Sequence, residues 1–176
     1  MLHFNSALTQ IKTPGSFGWD STPSVVPSSA VPSYTGTSSY LVLTKYNNYA
    51  DFGMGNGENQ VAVLDPSATM PDEYSYGGTV ATVMKEVITV TGVTPNSGTP
   101  GVREWCINSA VVDPYTKSAL INSEDGTVYR WDFTSNTLLQ RMNLTPGRGE
   151  AYTPTAIGTD GTVYAINDAI LFAVGN

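Results

Sequence analysis

Residues 108–145 read as four short apolar strands joined by turns, and residues 153–175 read as the same unit with its fourth strand missing. A chain built on such a unit has to stack its sheets, because one small sheet cannot bury its own apolar faces. A unit that stops one strand short leaves an unpaired edge. The missing strand must then come from the chain's own N-terminus or from another molecule.

The clearest unit begins with a strand over 107–112. Asp113-Pro114-Tyr115-Thr116-Lys117 makes the turn, with proline pre-setting its backbone. A second strand covers 118–122. Ser123-Glu124-Asp125-Gly126 follows, and Asp-Gly favours the positive backbone angles of a tight hairpin. The third strand covers 127–133, Thr134-Ser135-Asn136 turns, and the fourth covers 137–143. The last unit repeats the plan with strands at 155–158, 162–166 and 169–174, turning at Thr159-Asp160-Gly161 and Asn167-Asp168. An earlier unit is longer. Its first strand lies within 24–31, and the others fall at 40–45, 60–65 and 86–91. Two insertions stretch it, at 46–59 and at 66–78, with room after the second for an extra strand at 79–84. Residues 2–12 have the length and character of a lone fourth strand. Helical periodicity is almost absent, since the best candidate, YGGTVATVMKEVITV, is rich in β-branched residues.

Composition removes several classes of function. The net charge is −7, and the 8 Lys and Arg form no cluster, so nucleic acid is not an expected partner. Charged residues are 13% of the chain against about 25% in an average soluble domain. Ser, Thr, Asn, Gln and Gly therefore build the polar surface. No apolar run is long enough to cross a membrane as a helix, and MLHFNSALTQIK lacks the basic and apolar regions of a signal peptide. The single cysteine, Cys106, rules out an intrachain disulfide and reads as a small buried hydrophobe.

Repeated four-stranded antiparallel units of this length are the mark of a β-propeller. The segment ALINSEDGTVYRWDFTSNTLLQR resembles the repeat of quinoprotein-like propellers, the pyrroloquinoline-quinone type. The matching positions are Ser123, Asp125, Gly126, Val128, Tyr129, Trp131, Asp132, Thr134, Asn136, Leu138, Leu139 and Arg141. PTAIGTDGTVYAIN is similar to a hairpin of the same repeat. The resemblance is strongest over 105–176, and the first unit joins it only through GENQVAVLDP.

The fold class expected is all-β, a β-propeller-type array of about three four-stranded antiparallel blades in one domain over 1–176. A lone strand at 2–12 would precede blade one at about 17–94, blade two at about 105–145 and blade three at about 152–176. Propellers close with four to eight blades. The resemblance therefore implies half or a fragment of a six- to seven-bladed propeller, or half of a two-chain ring. In the ring, the N-terminal strand of each chain would complete the last blade of the other. It also implies an extracytoplasmic setting, periplasmic or secreted. By analogy with the repeat, Tyr115, Tyr129, Trp131, Tyr152 and Tyr164 belong in the core or between blades.

The resemblance does not extend to chemistry. Quinone-dependent members of the family use a vicinal cysteine pair, and Cys106 stands alone, so no cofactor is expected. Zinc lacks ligands, with His3 and Cys106 the only residues of their kind. His3 also leaves no Ser-His-Asp or Cys-His arrangement outside a terminal segment. Calcium is the one metal the chain offers oxygen ligands to, through Asp51, Asn56 and Glu58, but their spacing is not that of an EF-hand.

Strand alternation places the long loops 46–59, 95–104, 123–126 and 146–152 on one rim. The residues there that suit a carbohydrate or another small polar ligand are Tyr49, Asp51, Arg103, Glu104, Trp105, Glu124, Arg148 and Glu150. The bland alternative is a set of solvated loop residues and local ion pairs. The function expected is a non-catalytic binding or scaffold module. The alternative is part of a quinoprotein-like or carbohydrate-active enzyme whose site is completed by missing sequence or a second chain. The partners expected are a second copy, the remainder of a longer propeller, or a small polar ligand, with neither nucleic acid nor membrane.

Overall fold

The computed structural model describes residues 3–12, 21–46, 56–72, 80–98, 100–105, 109–146, 149 and 153–175. It is all-β, a propeller-type array of three antiparallel sheets with a small hairpin before them. The hairpin pairs β1 (His3–Phe4) with β2 (Gln10–Lys12). Blade one contains β3 (Ser24–Pro27), β4 (Tyr40–Tyr46), β5 (Gln60–Pro71) and β6 (Thr82–Thr91). Blade two contains β7 (Val111–Asp113), β8 (Ser118–Asn122), β9 (Thr127–Asp132) and β10 (Thr137–Asn143). Blade three contains β11 (Ala156–Ile157), β12 (Val163–Asn167) and β13 (Ile170–Val174). Each blade is an up-and-down meander, with strands paired in chain order.

Asp side chains close most of the outer turns. Asp113 accepts hydrogen bonds from the Tyr115 and Thr116 amides at 3.1 and 3.4 Å and from the Thr116 hydroxyl at 2.6 Å. Asp132 repeats the device with the Thr134 and Ser135 amides and the Ser135 hydroxyl. Both loops end in a left-handed residue, Lys117 at φ 51° and Asn136 at φ 54°. Asp160 accepts from the amide and hydroxyl of Thr162.

These bonds lower all three carboxyl pKa values. At Asp113, burial works upward, but the Thr116 and Tyr115 bonds and the Arg130 charge outweigh it. At Asp132 the Ser135 hydroxyl leads, and at Asp160 the Thr162 amide leads. A carboxyl lowered by folding contributes stability that is present above its unfolded value, about 4, and is lost as pH falls through its folded value. The expected result is a urea midpoint that drops as pH is taken from about 5 to about 2, with a shallower drop in Asp132→Asn. A midpoint independent of pH over that range would contradict this.

The inner edges of the blades lie side by side, with β3 next to β7. The Ser24 hydroxyl donates to the Ala110 carbonyl at 2.6 Å, and the Thr155 amide to the Ser109 carbonyl at 3.1 Å. Side-chain alternation then supplies the interfaces. Val61 and Val63 face blade two and pack with Ala119, Ile121 and Trp131. Leu120 and Val128 point the other way and pack with Val163 and Ala165 of blade three. With both faces covered, all five residues of β8 are buried.

The two ends of the stack differ. Ala62 and Leu64 face away from blade two, yet both are fully buried, packing with Val83, Met84 and Met70 from the far arm of the β5–β6 hairpin. The corresponding face of blade three leaves Tyr164 40% and Leu171 63% exposed.

Several expectations need correction. The lone strand expected over 2–12 is not seen in its described part, residues 3–12: the Asn5 side chain accepts the Ala7 and Thr9 amides, Leu8 turns at φ 58°, and the chain folds back. The resulting β2 lies beside β6 and forms no part of blade three. Residues 66–71 are strand and not loop, because Pro66 falls in the bulge between Asp65 and Thr69, where it breaks no ladder bond. Of the extra strand expected at 79–84, residues 82–84 belong to β6, and residue 79 lies outside the described residues. The first strand of blade two is described at Val111–Asp113, and residues 106–108, Cys106 included, lie outside the described residues. Tyr115 is 96% exposed at the tip of its turn and Tyr164 is exposed on the open face, whereas Tyr129 and Trp131 are buried. Tyr152 lies outside the described residues.

Candidate functional site

Four loop segments meet on one rim of blades one and two. The Val102 amide donates to the Gly57 carbonyl at 2.9 Å, and the Asn59 side chain to the Val102 carbonyl at 2.9 Å. Gly57 and Gly101 sit back to back at φ 84° and 91°, and a Cβ on Gly101 would stand 2.3 Å from the Gly57 carbonyl oxygen. Only glycine allows this crossing. The Arg103 amide then donates to the Thr94 carbonyl, the Glu124 amide to the Glu104 carbonyl, and the Gly149 amide to the Glu124 carbonyl.

This stitching brings together Arg103, Glu104, Trp105 and Glu124. Arg103 Nη1 stands 3.9 Å from Glu124 Oε1, with the side chains 21% and 7% exposed. That is an ion pair too long for a hydrogen bond. Trp105 is fully buried, its indole N–H donates to the Asn59 carbonyl at 3.3 Å, and its ring meets Tyr129 edge-on at 5.6 Å. It is a core residue with no face open to a ligand. Tyr49, Asp51, Arg148 and Glu150 lie outside the described residues. Asn56 closes a short turn onto the Glu58 amide, and Asp51, the third residue of the calcium set, is outside the described residues. Among the described residues no three His, Cys, Asp or Glu side chains come together in a metal-binding group.

Next to this assembly opens a cleft of about 490 Å³, lined by Thr94, Asp125, Thr127, Tyr129, Arg141, Asn143, Leu144, Thr145 and Pro146. Strand register explains its wall. Arg141 lies opposite Tyr129, and Asn143 opposite Thr127, so all four share one face of the β9–β10 pair. Asp125, from the turn before β9, is the hub. It accepts from the Tyr129 hydroxyl at 2.6 Å, the Thr94 hydroxyl at 2.5 Å and the Thr127 amide at 3.0 Å. Burial, then the bond to Asp125 and its charge, push the Tyr129 phenol up. The phenol therefore stays a donor across the physiological range. The Thr127 hydroxyl donates to Asn143 Oδ1 at 3.1 Å. Arg141 is exposed and makes no ion pair with any described residue.

The cleft thus offers hydroxyls, an amide and one unpaired guanidinium around a carboxylate already held by three donors. Such a set recognises polar groups and does not supply an activated nucleophile. Sequence reasoning did not single out Thr94 or Asn143, and took Arg141 as a repeat position and Asp125 as a turn and repeat position, none of them as part of a site. The available signal was Arg141 and Asn143 two apart on one strand, but their opposition to Tyr129 and Thr127 requires the register. A scan against protein-family models found no match for this chain, and a search of curated proteins found no relative.

Proposed function

We propose that this chain is a non-catalytic binding module of the propeller type, taking a small polar ligand of sugar size in the cleft on the β9–β10 face of blade two, beside Thr94. The observation that carries the reading is the cleft wall itself, with Arg141 and Asn143 side by side above the Asp125 hub. An unpaired guanidinium next to hydroxyl and amide groups favours a sugar bearing a carboxylate over a neutral one. The resemblance to quinoprotein-like repeats supports a scaffold whose motif residues pack blades and carry no chemistry. The low-charge surface and that resemblance favour an extracytoplasmic setting.

The test is calorimetric titration with galacturonate and with galactose. Saturable binding of galacturonate is expected, weaker for galactose, and weakened about tenfold or more in Arg141→Ala. No binding of either sugar, or an Arg141→Ala protein that binds as tightly as the parent, would sink the reading. Turnover of either sugar would move the chain to the enzyme class.

A further inference from the structure

We infer that Asn56 is a self-modifying residue: its side-chain amide cyclises with the Gly57 nitrogen, releases ammonia and leaves aspartate or isoaspartate beside the Gly57–Gly101 crossing. Asn56-Gly57 is the one Asn-Gly pair in the chain. Glycine leaves the attacking nitrogen unhindered by a side chain.

The local geometry assembles the reaction. Asn56 is exposed, so water reaches its side chain. Its Oδ1 accepts the Glu58 amide at 3.0 Å. The ring closed by that bond contains both the Asn56 Cγ and the Gly57 nitrogen, which holds the electrophile near the nucleophile. The Glu58 N–H is aimed at the oxygen on which negative charge develops when the nitrogen adds, as an oxyanion donor is. The Gly57 nitrogen gives its proton to solvent hydroxide and forms a bond to Cγ. The Cγ–Nδ2 bond breaks, and Nδ2 takes up a proton and leaves as ammonia. Water then opens the cyclic imide. Breaking the bond between the glycine nitrogen and Cγ yields aspartate. Breaking the bond to the backbone carbonyl carbon routes the chain through the side chain as isoaspartate.

Two other pairs share this geometry and are locked. They are Asp125-Gly126 and Asp160-Gly161. In each, as at Asn56, the Oδ1 accepts the amide two residues on at 3.0 Å, from Thr127 and Thr162. The three glycines sit at φ 84°, 82° and 84°. The difference lies in the glycine N–H. The Gly126 amide donates to the Ser123 carbonyl at 3.2 Å, and the Gly161 amide to the Gly158 carbonyl at 3.0 Å. The Gly57 amide donates to no described residue. Both locked sites also carry a carboxylate, which is a poorer electrophile than an amide. The fold thus withholds two nucleophiles and leaves the third in place.

The isoaspartate product strains the rim. The Gly57 carbonyl accepts the Asn59 and Val102 amides at 3.0 and 2.9 Å, and a Cβ on Gly57 would stand 2.6 Å from the Pro100 carbonyl oxygen. Isoaspartate inserts one more backbone atom next to this clamp, which has no slack on the glycine side. The Asn59 carbonyl that holds the Trp105 indole lies two residues beyond.

The test is peptide mapping by mass spectrometry of the full chain aged in mildly alkaline buffer, folded and in guanidinium chloride, with enzymatic methylation of isoaspartate as a second readout. Folded Asn56 is expected to convert within about tenfold of its denatured rate. Asp125 and Asp160 are expected to gain isoaspartate only when denatured. A greater slowing of Asn56 by folding would overturn the inference, because the crossing would then protect it. Isoaspartate at Asp125 or Asp160 in the folded chain before any at Asn56 would do the same. Asn56→Gln, whose longer side chain closes a less favoured ring, is expected to stay unmodified and to keep its melting temperature through ageing. The isoaspartate form, separated by ion exchange, is expected to melt about 3 °C below Asn56→Asp, which has the same charge without the extra backbone atom. Equal melting would overturn the claim that the product strains the rim.

Discussion

Trp105→Ala is expected to destabilise the chain by about 4 kcal/mol and to lower its melting temperature by about 10 °C. The indole is fully buried where the loop after blade one crosses onto blade two. It ties three things together: the Asn59 carbonyl through its N–H, the Tyr129 ring through an edge-on contact, and the apolar core shared by both blades. Truncation removes the largest side chain there, leaves a cavity that stiff strands cannot close, and leaves the Asn59 carbonyl without its indole donor. Chemical denaturation of the variant beside the parent checks the figure. A loss under about 1 kcal/mol, as for a surface residue, would mean that Trp105 does not join the blades.

Asp125→Ala is expected to cost about 3 kcal/mol and to abolish ligand binding in the cleft, although the residue sits in a surface turn. The carboxylate takes three donors at once, from Tyr129, Thr94 and the Thr127 amide. Removing it leaves those donors aimed at nothing, and orphaned buried donors cost more than a lost bond is worth. Tyr129→Phe deletes one donor and should cost about 1 kcal/mol. In the double variant the two costs should fall short of their sum, because the phenol's penalty no longer exists once it is gone. Denaturation midpoints of the four proteins measure that coupling. Strict additivity would contradict the hub.

The order of strands was legible because each blade repeats a local grammar. Ser118–Asn122 and Thr137–Asn143 fall where Asp-Gly and Ser-Asn turns bound them. Legibility failed where a local signal had a non-local purpose. Pro66 looks like a turn, but in the bulge it bends a long hairpin that covers the outer face of blade one. Asn5 looks like one polar residue within a strand, yet its side chain captures two amides and reverses the chain. The β12–β13 turn falls one residue later than Asn167-Asp168 suggests, since Ala169 takes a positive φ that alanine does not advertise. Tyr115 shares its residue type with Tyr129, but only register tells which of them points into a neighbour.

For the rim, the sequence indicated where loops gather but not which side chains stay open there, since Trp105 is buried in the core. Loop lengths indicated the rim, and Arg103, Glu104, Trp105 and Glu124 do converge there. The cleft beside them could not be read the same way. Its wall comes from Thr127, Tyr129, Arg141 and Asn143, residues of regular strands that look like repeat positions until two strands are set in register.

The central claim is that the cleft on the β9–β10 face of blade two receives the ligand, and backbone amide shifts during a galacturonate titration test it most directly. The account predicts saturable shifts at Thr94, Asp125, Thr127, Asn143 and Thr145, with β13 unmoved. Saturable shifts confined to Ile170–Val174 and the groove beside it, or none at all, would contradict it.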